Sequence, residues 1–241
     1  MKTERGDGVT GEIKRLLELQ DKDQECAALA AQIKHLNEQR SRLKQKREEE
    51  IARVEEMRRA LEELERESRQ RNLEVDDLDM QIHAYQKQLD EGIISFKEME
   101  ALREKIASQK KRMSEMEDEA LMLMDRIVEE KENLIRAEKD LEVRLSELDD
   151  EEEKLAAHIS DVKTALSATE TARKEIAGQL SPSLLARYEN LRRNFPDPVV
   201  PIKNGICTGC NLRVSGHTVE RARNTAEIVT CENCSRILYI R

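Results

Sequence analysis

Glu91-Gly92-Ile93-Ile94-Ser95 interrupts the longest uniform pattern in the chain. Between Gly11 and Gly178 the only glycine is Gly92, and no proline occurs before Pro182. One breaker almost midway between two long unbroken stretches predicts two helices joined by a single turn. Ser95 is placed to cap the second helix, and Glu98, three residues on, would complete a capping box.

The hydrophobic period on either side agrees. Before the turn, one seam alternates steps of four and three: Leu29, Ile33, Leu36, Arg40, Leu43, Arg47, Glu50, Val54, Met57, Leu61, Leu64, Ser68, Arg71, Val75, Leu78, Ile82, Tyr85 and Leu89. A heptad held this long argues for a left-handed coiled coil. Its polar members, Arg40, Arg47, Glu50, Ser68 and Arg71, set register at some cost in stability. After the turn a second seam runs from Met99 through Leu102, Ile106, Met113, Met116, Leu123, Ile127 and Leu134 to Ala137, Leu141 and Leu145. The two consecutive steps of four at its end mark a stutter. The pattern then continues through Leu148, Leu155, Ile159, Val162, Leu166 and Ile176 to Leu180. Each arm has about 80 residues, roughly 120 Å of helix at ~1.5 Å per residue. Equal arms suit an antiparallel hairpin, in which each covers the other's seam. A single long helix in a parallel dimer is the competing arrangement, because one helical glycine costs only ~1 kcal/mol.

Leu180-Ser181-Pro182 ends this pattern. Ser181 reads as an N-cap and Pro182 as the first position of a short helix to about Asn194. Phe195-Pro-Asp-Pro-Val-Val-Pro201 then reads as an extended linker, since proline disfavours helix in the residue before it. The short apolar runs Leu212–Val214, Glu227–Thr230 and Ile237–Ile240 read as small strands. Around them stand Cys207 and Cys210, then Cys231 and Cys234, two C-x2-C pairs separated by twenty residues. Each pair presents two sulfurs from one tight loop, and two loops complete a tetrahedron suited to structural zinc. Tetrahedral sulfur also suits iron. His217, between the pairs, reads as a surface turn residue, and Cys26 as a small apolar residue on the seam.

The whole is therefore expected to be mostly α: a long antiparallel coiled-coil hairpin over residues 1–181 with its turn near 91–95, a short helix and linker over 182–196, and a small β zinc ribbon over 197–241.

Composition excludes several functions. The net charge is −9, charged residues make up 39% and aromatics 2%. A chain so poor in bulky residues is not expected to build a deep apolar substrate pocket. No phosphate loop, nucleophile elbow, H-E-x-x-H or dinucleotide fingerprint is present, so catalysis is not expected. No stretch is apolar enough to span a bilayer and none resembles a secretory signal, which predicts a cytoplasmic protein. Residues 197–241 carry six Lys/Arg and four Asp/Glu, a balance of +2 that leaves −11 for residues 1–196. Arg213, Arg221, Arg223, Arg236 and Arg241 are the basic ribbon residues; the first four are candidate contacts for a protein or nucleic-acid partner. Single-strand binding would add aromatic stacking platforms, and here only Tyr239 is available.

Three segments carry a resemblance: Phe96-Lys-Glu-Met-Glu-Ala-Leu-Arg-Glu-Lys-Ile106, Asn204-Gly-Ile-Cys207-Thr-Gly-Cys210 and Cys231-Glu-Asn-Cys234-Ser-Arg-Ile-Leu-Tyr239. With them, nearly the whole chain resembles a bacterial family with an N-terminal coiled-coil hairpin and a C-terminal C4-type zinc ribbon. That family includes a Helicobacter flagellar-biogenesis factor and a chlamydial relative linked to type III secretion. The resemblance implies a non-enzymatic adaptor or chaperone-like scaffold holding one structural zinc. It implies protein partners, namely sigma-54 and flagellar or type III secretion components, and for some members messenger RNA. RNA binding through the basic ribbon is the alternative function, and self-association of the helices stays open. Two departures stand out. The second knuckle of the family reads C-P-x-C-G, where this chain has Glu232 and Ser235. Val214-Ser-Gly-His217 replaces a proline-rich turn.

Overall fold

The computed structural model describes residues 4–224 and 227–240, with side chains from residue 9 onward. Two helices dominate it, α1 over Glu4–Glu91 and α2 over Phe96–Gly178, and they form a coiled-coil hairpin. Every residue of the first seam, Leu29 to Leu89, is buried or half-buried, as is every seam residue from Met99 to Leu180. Partners climb on α1 as they descend on α2. Arg47 meets Asp149, Arg58 meets Glu138 at 2.8 Å, and Glu65 meets Lys131 at 2.7 Å. Arg71 meets Glu119 at 3.3 Å. This pairing selects the antiparallel hairpin over the continuous helix, and gives Arg47 and Arg71 carboxylate partners at polar seam positions.

The turn is held as its residues dictate. The Gly92 N–H donates to Gln88 O at 3.1 Å, and a Cβ on Gly92 would run into that same carbonyl. Glycine is required there for close approach rather than for an unusual φ. The capping box forms: Ser95 N–H donates to Glu98 Oε2 at 2.8 Å, and Glu98 N–H to Ser95 Oγ at 3.4 Å. The Ser95 backbone N–H, then its hydroxyl, hold the Glu98 carboxyl below its ordinary value.

The structure divides into two compact units, one comprising the residues up to Arg40 with those from Glu153 onward, the other Ser41–Glu152. In the second unit, Leu78, Ile82, Ile106 and Met116 form the core nearest the turn. The first unit holds everything that bears on the cysteines. Its α3 spans Pro182–Arg192, with Ser181 at the N-cap in extended geometry but making no side-chain cap bond. Tyr188 of α3 is fully buried among Leu16, Leu19, Leu180 and Leu184.

Beyond α3 the expectations need correction. The proline-rich segment is no mere linker. Val199–Lys203 is strand β1, an interior strand of a four-stranded sheet ordered β2-β1-β4-β3. Its partners are β2 (Ile206–Cys207), antiparallel, and β4 (Ile237–Tyr239), parallel. β3 (Val229–Thr230) runs antiparallel to β4. Proline is disfavoured in interior strands because it lacks a ladder donor. Pro201 forgoes that donor, but its carbonyl still accepts from Thr208 N–H and Oγ1, at 3.2 and 2.9 Å. The run Leu212–Val214 is not a strand. It makes a single bridge, Arg213 to Ile206, because its backbone closes the first cysteine loop instead. Where a turn was expected, Gly216–Arg223 forms helix α4, with Ser215 Oγ accepting from Thr218 N–H at 3.2 Å.

Candidate metal centre and docking face

The two cysteine loops are built alike. Cys207 ends β2 and Cys210 follows it, while Cys231 and Cys234 lie between β3 and β4. In each, the residue after the second cysteine has a left-handed backbone, Asn211 at φ 59° and Ser235 at φ 64°. Each donates its N–H to the first cysteine's carbonyl, at 2.8 Å in the first loop and 3.0 Å in the second. This chain thus uses a left-handed asparagine and a left-handed serine where glycine would be unstrained.

These loops bring four thiols together, with all sulfurs within 4.8 Å of one another. Cys207 and Cys231 are buried, Cys210 and Cys234 half-buried. Across the site, Cys207 Sγ lies 3.9 Å from Cys234 Sγ and Cys210 Sγ 3.7 Å from Cys231 Sγ. A tetrahedral ion with bonds of about 2.3 Å sets its sulfurs roughly 3.8 Å apart. The donor set and spacing therefore fit zinc, with four protein ligands and no position left for a reacting water. Burial pushes Cys207 up to about 12. At Cys231 burial also works against ionisation, but the N–H groups of Cys234 and Asn233 outweigh it and bring the thiol down to about 7. Backbone donors aimed at sulfur favour the thiolate that a metal requires.

The two segments in which the sequence departs from the pattern it resembles, around Glu232 and at Val214-Ser-Gly-His217, meet. Ser215 Oγ and Thr218 Oγ1 both donate to Glu232 Oε1, at 2.6 and 2.5 Å. The Glu232 carboxylate thus ties the second cysteine loop to the first turn of α4, where a negative charge suits the helix dipole. Those two hydroxyls, by hydrogen-bonding the charged form, hold Glu232 below its ordinary value. His217 lies exposed on α4, outside the four-thiol cluster.

Three of the four candidate arginines are engaged. Arg221 meets Glu227 at 2.7 Å, and Arg223 meets Glu220 at 3.1 Å. Arg236 is buried, meets Asp197 at 2.9 Å and stacks 4.0 Å over the Phe195 ring. Arg213 is exposed. Arg241 lies outside the described residues. Among the described residues, three of these arginines are matched by carboxylates, so they form no uncompensated basic cluster.

Other residues that position the ribbon carry no chemical motif. Val199 N–H donates to Gln20 Oε1 at 2.7 Å, and Gln20 Nε2 donates to Val199 O at 3.1 Å. Nearby, buried Asp23 accepts from Arg173 Nε at 2.7 Å, from Arg192 at 2.9 Å and from Tyr188 OH at 2.8 Å. Arg173 also pairs with Glu189. Burial works against the Arg173 charge, but these carboxylates outweigh it and raise its pKa; burial and Asp23 raise that of Tyr188. Cys26, half-buried close by, is also raised, chiefly by burial, and so stays a thiol. No sequence signal singled out Gln20 or Asp23, which sit among many other polar residues of α1.

In the second unit, α2 leaves apolar residues in water. Leu121, Val128 and Ile135 recur every seven residues and are 59%, 58% and 52% exposed. Met124, on the same side, lines with Ile127 and Val128 a groove of about 390 Å³ walled by Glu65, Ser68 and Asn72 of α1. Among the described residues, no helix is long and apolar enough to cross a membrane.

Comparison with known proteins bears on both features. Residues 19–195 match the family described as CT398-like coiled coil hairpin domain, and residues 206–238 match the C4-type zinc ribbon domain. CT398 from Chlamydia trachomatis superposes with a TM-score of 0.84 at 22% identity, covering 98% of this chain and 100% of its own. A Mycobacterium smegmatis protein gives 0.71 at 21%, and HP0958 from Helicobacter pylori gives 0.59 at 21%, each covering 96% of this chain and 98% of its own. No curated protein matches the sequence significantly.

Proposed function

Because this chain belongs to the CT398-like coiled-coil hairpin family and carries a C4-type zinc ribbon, we propose that it is a non-catalytic adaptor. In this reading the hairpin supplies an extended face for protein partners. The ribbon, held by structural zinc on Cys207, Cys210, Cys231 and Cys234, supplies a compact second surface. The partners are those the family resemblance implies: sigma-54 and components of flagellar or type III secretion machinery. The protein works in the cytoplasm.

The observation that carries the reading is the exposed heptad stripe of Leu121, Val128 and Ile135. These residues are left over after the hairpin has covered its own seam, and apolar residues repeated along one helix face suit a protein surface. The carboxylate pairs on Arg221, Arg223 and Arg236 weigh against the RNA alternative, since phosphate binding draws on uncompensated cations.

The test is a pull-down from native lysate, with and without nuclease, using the wild type and a triple variant Leu121→Ser, Val128→Ser, Ile135→Ser. We expect nuclease-resistant capture of a protein partner that the triple variant loses. Capture abolished by nuclease, and weakened steeply by salt and by Arg221→Ala with Arg223→Ala, would sink the adaptor reading in favour of RNA.

A further inference from the structure

The ribbon sheet has two faces, and they serve different masters. Val199 and Ile237, paired in register on β1 and β4, pack against Leu16, Leu19, Leu180 and Tyr188 at the open end of the hairpin. The next residues along the same strands, Val200 and Leu238, face the other way. They pack with Cys207 and Cys231, both ligand candidates. Strand alternation makes this unavoidable: what fixes one face of a strand places the other.

Each side is held by something the other lacks. On the hairpin side, both backbone groups of Val199 are taken by the Gln20 amide, across 179 residues of sequence. On the cysteine side, β4 has only three residues and β3 two. Ladders this short do not stand alone. β4 is set by the second cysteine loop, where Cys231 N–H donates to Arg236 O at 2.9 Å, and by Ile237 N–H donating to Pro198 O at 2.8 Å.

We propose that metal binding by the four cysteines and docking of the ribbon on the end of the hairpin form one linked equilibrium, with Gln20 a positioning residue for a metal it does not touch. The proposal rests on the zinc reading above. Linkage is reciprocal. Loss of metal frees β4, withdraws Ile237 and Val199 from the hairpin, and bares Leu16, Leu19 and Tyr188 to water. Conversely, loss of the Gln20 clamp lets β1 and β4 drift and weakens the hold on the metal. The site is thus a switch: occupancy decides whether this apolar end is covered.

Two measurements on the full chain test it. The first is competition for zinc with a chromophoric chelator, comparing wild type, Gln20→Ala and Arg221→Ala, with helicity monitored to confirm that each is folded. Leaving two buried backbone groups without a partner is expected to weaken zinc binding about tenfold in Gln20→Ala. Arg221→Ala should bind like wild type. The second is hydrogen exchange with and without chelator. Removal of zinc should deprotect residues 12–24 as well as the ribbon. A Gln20→Ala protein that binds zinc as tightly as wild type, or deprotection confined to residues 199–240, overturns the linkage alone. A wild-type chain that binds no zinc overturns the zinc reading with it.

Discussion

Asp23→Asn is the most informative single change to this fold. Asp23 is 4% exposed, on α1, and its carboxylate gathers Arg173 from α2 with Tyr188 and Arg192 from α3. Asparagine preserves the shape but removes the charge and turns one acceptor oxygen into a donor facing donors. Breaking a buried pair by removing one partner costs about 3–5 kcal/mol. Arg173 and Arg192 are 20% and 38% exposed at the side chain, so water compensates part of the loss and the lower end, about 3 kcal/mol, applies. For a chain of this size that corresponds to a fall of roughly 6–12 °C in melting temperature. Asp21→Asn, at an exposed position two residues away, is the control and should stay within about 0.5 kcal/mol. The assay is thermal circular dichroism, with hydrogen exchange to show that the lost protection lies in the unit containing residues 153–241. Equal melting temperatures for Asp23→Asn and Asp21→Asn would refute the claim that this carboxylate organises the junction.

Three further outcomes follow from the geometry. Cys207→Ser or Cys231→Ser should leave the hairpin helical while the tail becomes sensitive to protease; an intact tail after metal removal, by circular dichroism and proteolysis, would contradict this. Ser235→Gly relieves a left-handed serine (about 1–2 kcal/mol) without touching sulfur, against about 0.4–1 kcal/mol of added unfolded-state entropy, and should therefore stabilise the ribbon by about 0.5–1 kcal/mol in denaturant titration; an unchanged or lower midpoint would contradict this. The capping contribution of Glu98, whose carboxyl is depressed from its ordinary 4.5, should be fully present above that pH and be lost as pH falls through the lower folded value. Amide exchange near residue 95 in wild type against Glu98→Gln should therefore differ at pH 6 and converge in acid.

The hairpin was legible because its signals repeat. From Leu29 to Leu89 the heptad names the residues that the structure buries, and Gly92 with the Ser95–Glu98 box names the turn. The four cysteines were legible because ligand chemistry imposes a spacing that chance seldom supplies. The ribbon's architecture was not. β1 contains Pro201 and follows Pro196 and Pro198, and its partner β4 lies 38 residues later in register, Val199 against Ile237, so no local pattern announces a parallel pair. α4 is only eight residues long and carries no apolar period strong enough to override Gly216. Gln20 and Asp23 were invisible for another reason: their partners are 150 to 179 residues away, and a single polar residue on an amphipathic helix looks like surface.

The separation of Gln20 from Val199 also bears on the order in which the molecule assembles. Contacts beside Gly92 close loops of a few residues, while the Gln20 clamp closes one of 179. Loop-closure entropy rises with length, so pairing that begins at the turn brings distant partners together cheaply, one heptad after another. We expect substitutions near Ser95 to slow folding, and those at Gln20 or Asp23 chiefly to speed unfolding. The hairpin then acts as a zipper whose final tooth is the ribbon's first strand.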